Sequence, residues 1–556
     1  MVKTQTRCFV ALLLAAAVCS AAQENNTVPL DHAAYDIIAM GIMQGVILSP
    51  HGAKPWPVYT VKQKLREMLN NPSRILTVME EETVFHALDS LERKSGLELN
   101  QGRYRAEGDG FTFETGLGWE SSFSVDAPGA SIASVNMAKA YAGGDAGDFV
   151  SWNVAAWGGL LYIEREQHGL PECPAYTVPS AFSYVYGKQW DGGVLSLRNP
   201  AVYAGWPDDP ALAYGLEGEV NGVFFDRRLQ LRMGRVRRDW GHGPNGTSLF
   251  LNAHSRPFAA VEGTFLPLSW LNISFLGGAL EHFREDGQQP SEGPFSNILS
   301  AAQIEFTPLP YIYLGIGGTA VMLRQFNAAL FSNLELRLPG LFALWGGIFV
   351  DRLNPSSENF YYLNDNRFAY QAGIRAIIHW LPLAAFTLRY AKIEPYCYTG
   401  NAGATGSAFI NGGESLGHYL PPNSDELLLR LESMLFPSIK AHIQFQMIRH
   451  GADYGYGAVG GSSLYDILDD DGSVKYFLMD GVYQWDNIFK LGGSFSLKAA
   501  GLPISVYVET GFATTNFTIN GKAGIGKEAD YEQLPEDPVY RGRSSFVFSV
   551  GFRLFQ

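Results

Sequence analysis

Six residues that can grip an anionic sugar fall in one stretch. They are Arg228, Arg232, Arg237, Trp240, His242 and Arg256, within RRLQLRMGRVRRDWGHGPNGTSLFLNAHSRP at 227–257. A guanidinium forks onto a uronate carboxylate, and an indole face covers the C–H surface of a sugar ring. Polysaccharide binding is the chemistry this set suits. The competing reading is structural, with the arginines paired to carboxylates as internal braces, and ordinary charge networks favour it. A second candidate segment, GHYLPPNSDE at 417–426, offers His418 and Asp425. There the plainer reading is turn chemistry, because Asn, Ser and Asp before a strand commonly hold a loop by local hydrogen bonds.

Other chemistries are poorly supported. Asp466, Asp469, Asp470, Asp471 and Gly472 suggest calcium, but anchoring the EF-hand glycine on Gly472 puts Ile467 and Leu478 where ligands are required. His242 and His254 have no cysteine near them and make a weak zinc pair. There is no Gly-x-Ser-x-Gly elbow around Ser248 and no defensible acid–base pair. The sequence therefore predicts a non-enzymatic protein without cofactor or metal. The net charge of −14 argues against a nucleic-acid partner.

The elements that would position these residues are strands. In the terminal FVFSVGFRLFQ, Phe546, Phe548, Val550, Phe552 and Leu554 share one face, while Ser549, Gly551 and Arg553 share the other. That alternation fits a wall between lipid and a hydrated lumen. It recurs in Leu229, Leu231 and Met233 against Arg228, Gln230 and Arg232. It appears again in Leu427, Leu429 and Leu431, in Ile443, Phe445 and Met447, and in Ile504, Val506 and Val508. A soluble sandwich would alternate too, but its polar face is normally richer in charge. Arg235 and Arg237 then occupy the apolar face, so the strand should leave the hydrocarbon there; a mid-depth charge facing lipid costs about 2–4 kcal/mol. No run of about 18 uncharged apolar residues follows the leader. The longest candidate, LPGLFALWGGIFV at 338–350, is short and broken by Pro and Gly.

The N-terminal part differs. Lys3 and Arg7, an apolar run from Phe9 to Val18 and Ser20-Ala21-Ala22 read as a signal peptide over 1–22. Cys19 offers a lipidation alternative, against which Val18 makes a poor lipobox. Residues 23–98 read as a helical periplasmic domain. One helix capped by Asp31 runs through Tyr35, Ile38 and Met43, a second starts from Thr60, and a third runs over Met79–Lys94, with SPHGAKPWP as a rigid connector. Residues 99–556 read as an outer-membrane barrel. The 456 residues from 101 onward, at roughly 25 per strand, give about 18 antiparallel strands. Trp270, Tyr311, Tyr313, Trp380 and Tyr390 fit aromatic girdles. DDPALAYG, SSENFYYLNDN and YGYGAVGGSSLYDILDDDGS read as extracellular loops. After cleavage Cys173 and Cys397 remain, either as a pair closing a long loop or as two thiols.

Three stretches carry a further resemblance: VPLDHAAYDIIAMGIMQGVI, LRMGRVRRDWGHGPNGTSLFLNAHSRP, and EPYCYTGNAGATGSAFINGGESLGHYLPPNSDELLLRLE. With Arg237, Trp240, Gly241, Gly243 and Pro244 as their most specific core, they resemble the Wzi-like capsule-assembly family of outer-membrane proteins. The resemblance implies an 18-stranded barrel above a periplasmic helical bundle, holding capsular polysaccharide at the cell surface in lectin-like fashion. The expectation is thus a multi-pass outer-membrane β-barrel in contact with lipid, surface polysaccharide and a periplasmic export partner. A porin or substrate-specific diffusion channel is the alternative. A fatty-acid-type transporter, suggested by LRNPAVYAG at 197–205, fits less well because of the helical start. Adhesion through the acidic, aromatic loops is a third class.

Overall fold

The chain is described here from a computed structural model. It covers 25–71, 76–92, 96–98, 102–127, 131–147, 149–163, 194–196, 211–243, 247–281, 295–322, 326–353, 366–400, 407–411, 414–451, 461–464, 481–499, 502–520 and 542–554.

Eighteen antiparallel strands close into a barrel: β1 Phe111–Ala127, β2 Ser131–Ala146, β3 Val150–Ile163, β4 Ala211–Phe224, β5 Leu229–Val236, β6 Phe258–Leu268, β7 Leu271–Glu281, β8 Phe295–Leu309, β9 Ile312–Met322, β10 Asn327–Leu338, β11 Phe342–Arg352, β12 Arg367–Ile377, β13 Ala385–Ile393, β14 Ser424–Phe436, β15 Ile439–Gly451, β16 Gly481–Ala499, β17 Leu502–Asn520 and β18 Arg543–Leu554. Closure comes where β18 pairs with β1, from Phe546 opposite Ala127 to Leu554 opposite Trp119. The first half of β1 instead pairs with a short strand, Arg103–Gly108. Pairing all the way round leaves no open edge, the condition for a sheet to cross lipid.

The alternation sets the two faces. Along β10 every second residue is exposed, and Leu330, Leu334 and Leu336 point out while Ala329, Phe331 and Asn333 point in. In β18 Phe546, Phe548 and Phe552 are exposed while Val547 and Ser549 are covered. The exposed belt of Leu, Ile, Val and Phe identifies an outer-membrane barrel. No described helix is long and apolar enough to cross a membrane. Tight turns such as 310–311 and 437–438 mark the periplasmic end, where β18 also finishes.

Three helices sit at that end: α1 Ala34–Met43, α2 Val58–Asn70 and α3 Val78–Leu91. Ile37, Ile38, Val61, Leu65, Met68, Val84 and Leu88 form one core with Ala343, Ile377, Leu383 and Met434 of the barrel rim. Thr77 caps α3 in a reciprocal capping box with Glu80. Asp31 does not cap α1, whose N-cap is Ala33. It pairs instead with Arg553 of the last strand at 2.8 Å, because a partly buried guanidinium is the stronger partner.

Two further expectations need correction. Tyr313 is not a girdle residue; it points into the lumen, fully buried, and donates its hydroxyl to Glu305 at 2.7 Å. Trp270, Tyr311 and Trp380 are exposed at the periplasmic turns and Tyr390 on the outer face. Of DDPALAYG, the part from Ala211 belongs to β4 and is no loop. The other two loop segments lie largely outside the described residues, as do the leader, Cys173 and the acidic run at 466–472. Replacing lipid-facing Leu334 with Arg should destabilise the barrel by about 2–4 kcal/mol, read from urea-dependent folding into vesicles. Asn333→Gln on the inner face should cost clearly less.

Candidate functional site

β5 ends at Val236, where outward charge would have met lipid, and the chain turns into the lumen. Arg238 makes this turn. It is essentially without exposure, its Nε donates to Glu262 at 2.7 Å, and its Nη1 donates to the carbonyls of Val236 (2.8 Å) and Phe258 (2.9 Å). Its guanidinium also lies 4.6 Å from the centre of the Phe258 ring. Glu262 holds Arg232 as well, and Arg232 donates to the Pro55 carbonyl at 3.1 Å. One carboxylate on β6 therefore fastens the end of a strand and the start of an inward loop.

That loop meets the connector from the helices. Asp239–Trp240 forms a two-residue antiparallel ladder with Ala53–Lys54, and Lys54 pairs with Asp239 at 2.8 Å. Gly52 donates its N–H to Glu305 at 2.6 Å, and Gly241 donates to the Gly52 carbonyl at 3.1 Å. Above this crossing, Leu249, Phe250 and Leu251 are buried among Trp240, Phe331 and Phe349, with Phe250 stacked on Phe331 at 4.5 Å.

A third segment between β13 and β14, described over 394–400, 407–411 and 414–423, adds to the filling. Tyr398 donates its hydroxyl to the Leu249 carbonyl at 2.7 Å, and Asn252 donates to the Leu416 carbonyl at 3.1 Å. A short hairpin, Ile410–Asn411 with Glu414–Ser415, packs over the loop, and Asn411 donates to the Arg256 carbonyl at 3.1 Å. Gly417 is required here, since a Cβ would collide with the Tyr398 ring. Cys397, Phe409, Leu416 and Leu420 join the same apolar core. The described parts of the three segments pack together as one apolar plug inside the barrel.

The sequence candidates separate on this frame. Arg232, Trp240, His242 and His418 lie within or beneath the plug, and Trp240 and His418 are buried, leaving no ring face open. His242 sits 3.7 Å from the Tyr313 ring and 3.5 Å from Glu335. Arg237 and Arg256 are half-buried on the loop itself. Arg228 stands apart, exposed at the periplasmic turn after β4. Asp425 does not sit in a turn before a strand. It is the second residue of β14 and faces outward, paired with Arg449. Its neighbour Glu426 points inward and holds Arg389, Tyr419 and Gln446. Arg238 and Arg389, the two most buried arginines besides Arg367, were not among the candidates; Arg238 lies past the end of β5, where parity no longer assigns a face, whereas Arg389 keeps the regular alternation of β13 and was simply passed over. Among the described residues no His, Cys, Asp and Glu cluster has the geometry of a metal site.

No family model matches the sequence, and neither does any curated relative. Among solved structures, Wzi of Escherichia coli, described as an outer-membrane protein involved in group 1 capsule assembly and a carbohydrate-binding β-barrel, superposes over 95% of this chain and 99% of its own. The TM-score is 0.56 and the identity 11%. What is shared is the fold. OccAB2 of Acinetobacter baumannii covers 80% of this chain and 98% of its own at TM-score 0.44 and 9% identity. OprD of Pseudomonas aeruginosa covers 83% and 99% at 0.42 and 11%.

Burial and the nearby Arg232 charge push the His51 imidazole down to about 4, and burial foremost holds His242 and His418 below the usual histidine range. A histidine kept neutral in the folded state stabilises fully above its unfolded value of 6.5 and progressively less below it. Stability should therefore fall from pH 6.5 toward pH 4, and His51→Leu should flatten part of that slope in urea titrations. Trp240→Ala, which empties the centre of the plug, should cost about 3–5 kcal/mol and expose the 237–257 loop to added protease.

Proposed function

We propose that this protein binds surface polysaccharide and holds it at the outer membrane without catalysing a reaction. The observation that carries the reading is the plug. Where a diffusion channel needs a continuous aqueous path, this lumen is crossed by an apolar core containing Trp240, Phe250, Phe331, Phe349, Tyr398 and Phe409. A filled barrel is a poor conduit and a rigid platform. The likeness in fold to a carbohydrate-binding barrel agrees with this reading.

Of the original candidates, Arg237 and Arg256 would meet an acidic glycan, a role supported by their being half-buried guanidinium groups on the inward loop. Arg232, Trp240, His242 and His418 would act from below by keeping that loop in place. Arg228 and Asp425 lie outside this ligand surface. In this reading residues 1–22 direct secretion, and 23–98 close the periplasmic mouth, where a polysaccharide-export partner would meet the barrel.

The test is the partition of polysaccharide between cells and medium in a strain lacking the gene, normalised to total synthesis. Total should stay level while glycan moves into the medium, and Arg237→Gln with Arg256→Gln should reproduce part of the shift. An unchanged partition would overturn attachment. Single-channel recording then addresses the porin alternative, since a plugged barrel should show little conductance.

A further inference from the structure

Five residues on the outward face form a single row, one per strand, across β12 to β16. Tyr370 stands opposite Lys392, Lys392 opposite Asp425, Asp425 opposite Arg449, and Arg449 opposite Trp485. The row lies near the extracellular ends of these strands. Two rungs toward the periplasm the same face reads Ile374, Leu388, Leu429, Phe445 and Phe489, which is uninterrupted hydrocarbon. At about 3.3 Å per residue, four residues separate the two rows by roughly 13 Å along the strands, or about 10 Å of height at the usual tilt, against an apolar belt about 25 Å tall. The charged row therefore faces the headgroup layer of the outer leaflet.

In each ion pair of the row the cation is the more exposed partner. Arg449 keeps 33% of its side chain exposed and Asp425 only 4%; Lys392 keeps 18% and Glu394, 3.6 Å away, only 9%. Asp425 takes Nε and Nη2 of Arg449 side-on and also accepts the Tyr390 hydroxyl at 3.0 Å. Nη1 of Arg449 has no hydrogen bond among the described residues. The guanidinium lies over Trp485 at 5.2 Å and the Lys392 ammonium over Tyr370 at 5.8 Å. The carboxylates thus hold the two cations from one side and the rings from another, and Nη1 of Arg449 is left outside the ion pair. A guanidinium and an ammonium two strands apart, flanked by aromatic faces, match a phosphate set on a sugar.

We propose that this face binds the phosphorylated sugar headgroup of an outer-leaflet glycolipid. The site is distinct from the plug and stands whether or not the barrel holds polysaccharide. The full-length protein would be refolded with equal amounts of bis-phosphorylated lipid A, its dephosphorylated form and phosphatidylglycerol. Lipid retained after detergent exchange would then be measured by native mass spectrometry. The wild type should favour the phosphorylated glycolipid by roughly tenfold or more, the scale expected for two cations at a lipid surface. Lys392→Gln with Arg449→Gln should abolish the preference while the barrel keeps its heat-modifiable mobility, and Arg66→Gln on α2 should leave it intact. If the double variant does not fold, Lys392→Gln alone should lower the preference severalfold. Equal retention of phosphorylated and dephosphorylated forms, equal retention of phosphatidylglycerol, a preference that survives loss of both cations, or a second copy of the chain covering the row would overturn the proposal.

Discussion

Charge taken out of water along the inner wall is the cost on which the rest of this architecture turns. Buried inward arginines among the described residues have a carboxylate within reach: Arg238 and Arg232 share Glu262, Arg337 meets Glu335 at 2.7 Å, Arg375 meets Glu432 at 2.6 Å, and Arg389 meets Glu426. Removing one partner of such a buried pair leaves the other uncompensated and is far more damaging than replacing both. The pairs therefore fix which strands stand beside which and where a loop can turn inward. Because Glu262 and Glu305 also hold the inward loop and the connector, the wall and its filling are one electrostatic unit.

The filling in turn gives many of the inward polar residues partners within the barrel. A barrel of 18 strands encloses more space than its wall side chains can occupy. Here the space is taken by backbone from three places, with Trp240, Leu251, Tyr398 and Leu416 giving the loops a core of their own. Loops held so firmly present their outer surface as a fixed shape, which is what the proposed binding of a stiff polymer would require.

The wall was legible in the sequence because its signal is local. Period-two runs such as Leu427–Leu431 and the terminal Phe546–Leu554 announce two solvents, and chain length gives the strand number. The two charges Arg235 and Arg237, on what had been the apolar parity, even mark where β5 stops. The plug was not legible, because its contacts are distant: Tyr398 reaches Leu249, and Gly417 is shaped by Tyr398. Trp240 beside arginines reads the same at an open rim or in a sealed interior. Tyr313 resembles a girdle residue until Gly52 and Glu305 are seen at its hydroxyl. The row from Tyr370 to Trp485 is invisible for the same reason, since register across five strands cannot be read from any one of them.

The helices raise a question of order in time. α1 to α3 precede every barrel strand in the chain, yet their apolar faces are covered by Ala343, Ile377, Leu383 and Met434, and Asp31 waits for Arg553. Contacts spanning hundreds of residues form late, because the intervening chain must be ordered first. A segment made before every barrel strand is thus among the last to find its place, and its greasy surface stays open for most of the protein's biogenesis. Shielding it in the periplasm until the final strand closes the wall is a demand this topology makes on the cell.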